Sequence, residues 1–368
     1  MYKKKDKFKT IGQELKLKNI KIDDLEDIYH FESQKNARTK SSKTLISKGE
    51  KTFKSSAKLI RGRVIEVKAN HLYSVVCDLS FPHIEKADRD PKNCILSGRL
   101  KYIAHESRNP ICVGDFVNVD ISEPDNLRIE EIISRKNTLS RYIYPNDVLL
   151  ASNIDQVVIL TSVKEPDFCA NLIDRYICAA EIAEIPVVLC VNKIDLNDLQ
   201  LPIEQIQKEC EYYTDAGYKV VFTSTITGKG IENLKKLLLD KVTVFSGHSG
   251  TGKSSIINAL EPGLNLKVRN VSHFHSKGTH TTSSSNMIAW GFGGYLIDTP
   301  GIKTFGLKPK DIDKIASCFP GFSKYTDFCG FANCTHIHEE NCAIKENIDK
   351  TIPEDRYLSY WNLRKNLC

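Results

Sequence analysis

One stretch of the sequence has residue types and a spacing that suit the binding of phosphate groups. Residues 247–254 read Gly-His-Ser-Gly-Thr-Gly-Lys-Ser and fit the pattern Gly-x-x-x-x-Gly-Lys-[Ser/Thr] at every position. In such a loop the glycines let backbone N–H groups surround phosphate oxygens, the lysine contacts the terminal phosphates and the final hydroxyl binds Mg²⁺. A glycine-rich loop without a ligand is the alternative, and the complete motif disfavours it. The predicted phosphate-binding residues are Gly247, His248, Ser249, Gly250, Thr251, Gly252, Lys253, Ser254 and Ser255, with Ser254 also a Mg²⁺ ligand.

A second motif, Asn-Lys-x-Asp at residues 192–195, is predicted to select the base, because it directly follows an apolar, strand-like run. The carboxylate of Asp195 can accept hydrogen bonds from both N1–H and N2–H₂ of guanine, whereas adenine offers no such donor pair. Four residues recur by chance, so the motif gains its weight from the accompanying phosphate loop. The predicted base-binding residues are Asn192, Lys193, Ile194, Asp195, and Ser224 and Thr225 after the next predicted strand.

Two further segments are expected to complete the site around Mg²⁺ and the γ-phosphate. Residues 298–301 read Asp-Thr-Pro-Gly after a predicted strand. Asp298 is expected to hold the Mg²⁺ shell through water, and the N–H of Gly301 is expected to contact the γ-phosphate. In the run Gly-Thr-His-Thr-Thr, Thr281 is the first choice for a further Mg²⁺ ligand and Thr282 the second.

The residue that would orient the attacking water is not the usual one. Many GTPases carry a Gln shortly after the Asp-x-x-Gly motif for this purpose, but Ile302 stands there and cannot do it. His280 is the nearest candidate, and we predict that it is the catalytic residue. A surface histidine without a role is the alternative, since histidine serves many purposes near neutral pH.

The order of these motifs is itself informative. Ordinary GTPases read phosphate loop, switch threonine, Asp-x-x-Gly and then Asn-Lys-x-Asp. Here the base motif at residues 192–195 comes first, and the phosphate loop, the threonines and Asp-x-x-Gly follow it. The sequence therefore predicts a circular permutation, in which the sheet and the pocket are retained and only the chain connections move.

Near the C-terminus, four potential metal ligands lie within 14 residues in the pattern Cys-x₄-Cys-x-His-x₅-Cys. Three thiolates and one imidazole suit a closed, tetrahedral and therefore structural Zn²⁺ site. His338 competes for the fourth place, and chance clustering is the alternative to a metal site. The predicted zinc ligands are Cys329, Cys334, His336 and Cys342.

The elements that would position these residues can be predicted in outline. Five short runs with alternating apolar residues between 58 and 135, the third at residues 94–100, favour a small β-barrel of the OB type. From about residue 153 to 305, apolar strands alternate with helical stretches, which predicts a mainly parallel sheet with crossover helices. The fold class is therefore multidomain α/β, with an OB-type barrel, a permuted P-loop GTPase domain and a C-terminal zinc-binding helical domain.

The charge is placed unevenly along the 368 residues, whose net charge is +6. Residues 1–55 hold 15 Lys and Arg against 8 Asp and Glu, so the basic excess lies in an N-terminal arm. Such an arm is either an electrostatic contact to a phosphate-rich partner or a solvated, disordered tail. No apolar run approaches the roughly 18 residues that cross a bilayer. The 12 Cys are not expected to form a disulfide framework, because such frameworks are typical of short secreted chains. We therefore expect a cytoplasmic protein without a membrane partner. A monomer is also expected, although none of these features determines the oligomeric state.

In this order, the motifs resemble the circularly permuted GTPases that depend on the small ribosomal subunit, the RsgA/YjeQ family. The resemblance runs from about residue 58 to the C-terminus and includes the Ala-Ser-Asn-Ile-Asp-Gln stretch at residues 151–156. It implies GTP hydrolysis stimulated by the small subunit, a role in late subunit maturation, contact with rRNA, zinc at the Cys/His cluster and a contribution of His280 to hydrolysis. Two residues depart from the family's usual pattern: Thr251 replaces Val, and Thr279 replaces Arg.

The leading hypothesis is thus a GTPase with Mg²⁺ and one structural Zn²⁺, whose hydrolysis of GTP to GDP times its release from the small ribosomal subunit. A nucleotide-gated RNA-binding module with little hydrolysis is the second hypothesis. An adenine-nucleotide kinase or ATPase is the third, which Asn192 and Asp195 oppose. The predicted boundaries are a basic arm at 1–56, the barrel at 57–138, the GTPase domain at 139–307 and the zinc-binding domain at 308–368.

Overall fold

The computed structural model describes residues 58–68, 71–77, 91–101, 110–143, 146–196, 203–264, 286–298 and 307–367. The chain divides into two units, Met1–Phe53 and Lys54–Cys368, and every described residue belongs to the second. The predicted N-terminal arm lies outside the described residues. In the part of the chain that is described, no helix is long and apolar enough to cross a membrane.

Five strands form a closed barrel at the start of the described chain. Neighbouring strands follow the order β1–β2–β3–β5–β4, and β4 pairs back onto β1. The pairs are antiparallel except for β3 with β5. This is the ring of a five-stranded OB-type barrel. The strands are β1 (Leu59–Val67), β2 (Leu72–Cys77), β3 (Lys92–Leu96), β4 (Phe116–Asp120) and β5 (Arg128–Ile132).

The interior of the barrel follows the alternation of the sequence. In β4, Val117 and Val119 are fully buried and their neighbours are only half-buried, because successive side chains of a strand point to opposite faces. The third predicted strand was wrong in extent. It ends at Leu96, and residues 98–101 are helical, although Leu96 and Leu100 both lie in the barrel core. These two leucines are four residues apart, a spacing that places both side chains on the same face of a strand and also on the same face of a helix. The sequence pattern therefore could not show where the strand ends.

A six-stranded sheet with crossover helices carries the predicted nucleotide motifs. Its order is β10–β9–β8–β11–β13–β12, and all neighbours are parallel except β12 with β13. One face packs on helices α1 and α2, the other on α3 and α4. The elements are β8 (Gln156–Ser162), α1 (Ala170–Ile182), β9 (Val187–Asn192), α2 (Ile203–Asp215), β10 (Lys219–Phe222), α3 (Ile231–Leu238), β11 (Val242–Gly247), α4 (Lys253–Leu260), β12 (Asn286–Ala289) and β13 (Tyr295–Asp298).

Two connections between the barrel and this sheet were not predicted from the sequence. A hairpin of β6 (Thr138–Ile143) and β7 (Asn146–Ser152) leads from one to the other. In addition, β12 pairs with β1 through Asn286 and Glu66, so the barrel and the sheet are continuous. β6 carries polar residues at several positions, which weakens the apolar signal of a buried strand, and β12 has only four residues, too few to show a clear alternation.

A buried polar network explains the stretch at residues 151–156 on which the family resemblance partly depends. Asp115 of the barrel is fully buried and accepts hydrogen bonds from Arg135 at 2.6 and 2.7 Å and from the hydroxyl of Ser152 at 2.6 Å. Asn153 donates to the carbonyl of Gly114 at 3.0 Å. Gln156 donates to the carbonyl of Leu237 at 2.8 Å. The stretch therefore links barrel and sheet.

The C-terminal segment is a small helical unit packed on α1. It consists of a 3₁₀ turn (Pro309–Lys314), α5 (Ile315–Cys318), α6 (Ser323–Thr326), α7 (Ala343–Glu346) and α8 (Glu354–Lys365). Phe319, Phe322 and Tyr360 are buried together, with ring centroids 4.6–5.6 Å apart. They belong to the same core cluster as α1 and α2, so this unit is anchored on the face of the sheet that those helices cover. The predicted domain boundaries remain predictions.

Candidate nucleotide and metal sites

The predicted nucleotide motifs lie at one edge of the six-stranded sheet. Strands β8, β9, β10, β11 and β13 run in the same direction, so their carboxyl ends share that edge. Asn192 is the last residue of β9, Gly247 the last of β11 and Asp298 the last of β13. Ligands of open α/β sheets bind at this edge. Asn192 and Gly247 are buried there, and Asp298 is exposed.

The phosphate loop bends sharply into α4. Gly252 stands before the first turn of the helix with φ of 92°, a conformation that L side chains rarely adopt. A Cβ atom at this position would also collide with the side-chain amide of Asn192. Lys253, Ser254 and Ser255 form the first turn of α4 and are half-buried. Their backbone lies where a helix N-terminus favours an anion.

The base motif and the phosphate loop are joined by buried hydrogen bonds. The amide of Asn192 donates to the carbonyl of Thr251 at 3.0 Å, and its side-chain oxygen accepts from the hydroxyl of Thr223 at 3.1 Å. The three residues are at most 2% exposed. The role of Thr223 was not predicted from its residue type, although its place directly after β10, beside the end of β9, is the signal that would have indicated it.

The predicted base-binding loops are ordered by their own hydrogen bonds. Asp195 lies exposed in a 3₁₀ turn, Ile194–Leu196, whose first amide donates to the carbonyl of Thr223 at 3.2 Å. The hydroxyl of Ser224 is buried and accepts from the amides of Ile226 and Thr227 at 3.2 and 3.1 Å. The side chain of Ser224 therefore shapes its own loop.

Other predicted residues take different positions relative to this edge. Lys193 has φ of 61°, and its Nζ donates to the carbonyl of Glu165. Thr225 is half-buried in the loop after β10. His280, Thr281, Thr282 and Gly301 lie outside the described residues.

The arrangement suits a guanine nucleotide chemically. A carboxylate that can accept two hydrogen bonds, at Asp195, lies on the loop beside β9, and a helix N-terminus with Lys253 and Ser254 lies after β11. The first can select guanine and the second can hold phosphates with Mg²⁺. Asp298, at the end of the strand that neighbours β11, offers a carboxylate oxygen, the ligand type that Mg²⁺ prefers.

The predicted metal ligands come together in the C-terminal unit. One ligand atom from each of Cys329, Cys334, His336 and Cys342 lies within 4.8 Å of the others. Nδ1 of His336 is 3.4 Å from Sγ of Cys329 and 3.4 Å from Sγ of Cys342. Metal bonds of about 2.3 Å for sulfur and about 2.0 Å for nitrogen separate two ligand atoms by about 3.5 Å at a tetrahedral ion. The cluster therefore fits Zn²⁺, and His338 does not belong to it.

Polar groups around the cluster hold the ligand loop. Both carboxylate oxygens of Glu339 accept hydrogen bonds, at 2.6–2.8 Å from Thr335 and at 3.1–3.2 Å from the amides of Ile337 and His338. Burial opposes ionisation, but these bonds lower the pKa of Glu339 to about 2. The hydroxyl of Tyr357 donates to the carbonyl of His336 at 2.8 Å. Glu339 was not predicted, because its role is to order backbone and not to bind metal.

Sheet order, motif positions and motif order together define a circularly permuted P-loop GTPase. The family model described as RsgA GTPase matches residues 132–308. A protein of Bacteroides thetaiotaomicron, "Small ribosomal subunit biogenesis GTPase RsgA 2", is 38% identical over 288 residues, which cover 77% of this chain and 93% of that protein. The chain belongs to the RsgA GTPase family.

Further relatives agree with this assignment. The "Small ribosomal subunit biogenesis GTPase RsgA" of Flavobacterium psychrophilum is 39% identical over 73% of this chain and 84% of its own length. Among solved structures, YjeQ from Thermotoga maritima matches with a TM-score of 0.67 at 30% identity, over 84% of this chain and 99% of that one. YloQ, a circularly permuted GTPase, matches with a TM-score of 0.64 at 25% identity, over 84% of this chain and 95% of that one. The predicted fold class is confirmed.

Proposed function

We propose that this chain binds GTP with Mg²⁺ at the carboxyl edge of its six-stranded sheet and hydrolyses it there to GDP and phosphate. In this proposal Asp195 selects guanine, the phosphate loop with Lys253 holds the phosphates, and Ser254 and Asp298 contribute to the Mg²⁺ site. The observation that carries it is the hydrogen bond of 3.0 Å from Asn192 to Thr251, which joins the base motif to the phosphate loop.

The hydrolytic step needs groups beyond this edge. Thr281 is proposed as the further Mg²⁺ ligand, the amide of Gly301 as the γ-phosphate contact, and His280 as the residue that orients the attacking water. The assignment of His280 is based on its residue type and on Ile302, which cannot orient water.

The biological role proposed is biogenesis of the small ribosomal subunit, supported by the names of relatives that this chain matches over 84–93% of their length. In this role the barrel contacts rRNA, as OB-type barrels commonly contact single-stranded nucleic acid. Hydrolysis of GTP times release from the subunit. The Cys/His cluster holds one structural Zn²⁺, and the protein acts as a monomer in the cytoplasm.

The domain boundaries are part of the proposal. The arm ends near residue 56, and the barrel spans 57–138. The GTPase domain spans 139–307, and the zinc-binding unit spans 308–368. The described elements support these limits, since β5 ends at Ile132 and the first turn of the C-terminal unit begins at Pro309.

The test is GTP turnover by the purified chain with small ribosomal subunits, with large subunits and without either. The proposal expects slow turnover alone and strong stimulation by small subunits only. Equal rates in the three reactions would contradict the subunit role. GTP binding with no turnover in any of them would favour a nucleotide-gated RNA-binding module, and tighter binding of ATP than of GTP would favour an adenine-nucleotide enzyme.

A further inference from the structure

The hydroxyl of Thr251 makes a buried hydrogen bond inside the phosphate loop. Thr251 is 2% exposed, and its Oγ1 donates to the carbonyl of His248 at 2.9 Å. Valine has the same shape as threonine but no hydroxyl, so the bond belongs to the residue type found here.

This bond continues a buried chain of hydrogen bonds that begins on the neighbouring strand. The hydroxyl of Thr223, after β10, donates to Asn192, and Asn192 donates to the carbonyl of Thr251. Thr251 in turn donates two hydrogen bonds to the carbonyl of His248, one from its hydroxyl at 2.9 Å and one from its backbone amide at 3.5 Å. Two carbonyls of the phosphate loop, those of His248 and Thr251, are therefore fixed by buried donors.

Fixing a carbonyl also fixes the next amide, because the peptide unit is planar and trans. The N–H of Ser249 points away from the carbonyl of His248, and the N–H of Gly252 points away from that of Thr251. Among the described residues, no backbone carbonyl accepts a hydrogen bond from the amides of Ser249, Gly250 or Gly252. A loop that holds its carbonyls toward buried donors directs such amides toward an anion, and it keeps carbonyl oxygens from repelling phosphate.

We propose that the hydroxyl of Thr251 is a positioning group that holds the phosphate loop in its anion-binding conformation before the nucleotide arrives. The inference rests on the proposed binding of guanine nucleotides at this loop. Loops that are ordered in advance bind more tightly, because less conformational freedom is lost on binding. The hydroxyl therefore contributes to the affinity for the phosphate part of the nucleotide and not to the affinity for the base.

The test compares Thr251→Val, which removes only the hydroxyl, with Thr251→Ser, which keeps it. GDP and guanosine each compete against a fluorescent GDP analogue on the full chain. We expect Thr251→Val to weaken GDP binding by about threefold to tenfold, the value of one internal hydrogen bond. Guanosine should bind all three proteins equally, and Thr251→Ser should bind GDP like the wild type.

Three results would overturn the inference: wild-type affinity of Thr251→Val for GDP, an equal loss of GDP and guanosine affinity in that variant, or a loss in Thr251→Ser as large as in Thr251→Val. The last would assign the effect to packing of the methyl group. Thermal unfolding of the nucleotide-free proteins checks that the variants are folded. If the wild type itself fails to bind GDP, the proposed function is wrong as well, so the two failures are distinguishable.

Discussion

The guanidinium of Arg356 in helix α8 lies 3.2 Å from the carboxylate of Asp174 in helix α1, 182 residues earlier in the chain. The same guanidinium donates to the hydroxyl of Tyr213 in α2 at 3.0 Å, and Tyr213 donates to Asp174 at 2.8 Å. Asp174 is fully buried. One buried ion pair therefore attaches the last helix to the two helices on one face of the sheet.

Replacing Arg356 with Met should destabilise the protein strongly. The change leaves the carboxylate of Asp174 buried without its partner, a loss that costs about 3–5 kcal/mol. Urea unfolding measures it. The matched control is Lys365→Met on the same helix, where the side chain is exposed and loses only a cation–π contact with the ring of Trp361, so the expected change is at most about 1 kcal/mol. A small effect of Arg356→Met would show that the pair does not anchor α8.

The cost of losing Arg356 should also depend on pH. Burial raises the pKa of Asp174 to about 6, and Arg356 opposes that rise. Without Arg356 the pKa of Asp174 rises further. An Asp carboxyl in the unfolded chain has a pKa of about 3.9. At a pH between these two pKa values, the folded variant holds a proton on Asp174 that the unfolded chain has released. Stability of the variant therefore falls as pH increases through the raised pKa. We expect the difference from wild type to be larger at pH 8 than at pH 6, and an equal difference at both values would contradict this assignment.

This contact also shows what the sequence could not reveal. The motifs that contain Asn192, Lys253 and the Cys/His cluster could be recognised from the sequence, because each is short and its spacing indicates the chemistry. Asp174 and Arg356 have no such spacing, since their relationship exists only after α8 has packed on α1. Strand β12 was missed for a related reason: its pairing with the barrel through Asn286 is a tertiary contact, and four residues with little alternation give no strand signal.

Replacing His336 with Ala should release the metal. The change removes one of four ligands. Loss of a residue that only hydrogen-bonds to a metal ligand already lowers metal affinity by about 10- to 100-fold, so we expect zinc affinity to fall by at least that factor. The zinc content of the purified chain, measured by elemental analysis after dialysis, gives the result. Melting should occur at a lower temperature, because Cys342 and Ile344 of this loop belong to the main core.

The matched control for the metal site is His338→Ala. His338 is exposed and lies outside the cluster, so this variant should retain one zinc ion per chain and melt like the wild type. The reverse result, with zinc lost from His338→Ala and retained by His336→Ala, would make the assignment of the fourth ligand wrong.

Replacing Asp195 with Asn should change the preferred base. Asn can accept only one of the two hydrogen bonds of guanine and presents its own N–H₂ to the other donor. A hydrogen bond to a charged group contributes about 1.5–3 kcal/mol of binding free energy, so the affinity for GTP should fall at least about tenfold. Xanthosine triphosphate carries a carbonyl in place of the 2-amino group of guanine, and this carbonyl can accept from the N–H₂ of Asn. The variant should therefore bind xanthosine triphosphate more tightly than the wild type does. Competition binding measures both affinities.

The control for the base prediction is Asp240→Asn, an exposed acid just before β11 at the opposite edge of the sheet. It should leave both affinities unchanged. If Asp195→Asn binds GTP as the wild type does, Asp195 does not read the base, and the loop after β10 would become the next candidate.

Replacing Gly252 with Ala should abolish nucleotide binding, whereas Gly217→Ala should not. Both glycines have positive φ, 92° and 98°, so both changes strain the backbone, by about 1–2 kcal/mol in stability. They differ in their surroundings. A Cβ at Gly252 would collide with the amide of Asn192, whereas nothing lies within 4 Å of a Cβ at Gly217. Only the first change therefore separates the base motif from the phosphate loop. GDP binding and urea unfolding of both variants give the comparison, and loss of binding in both would assign the effect to backbone strain alone.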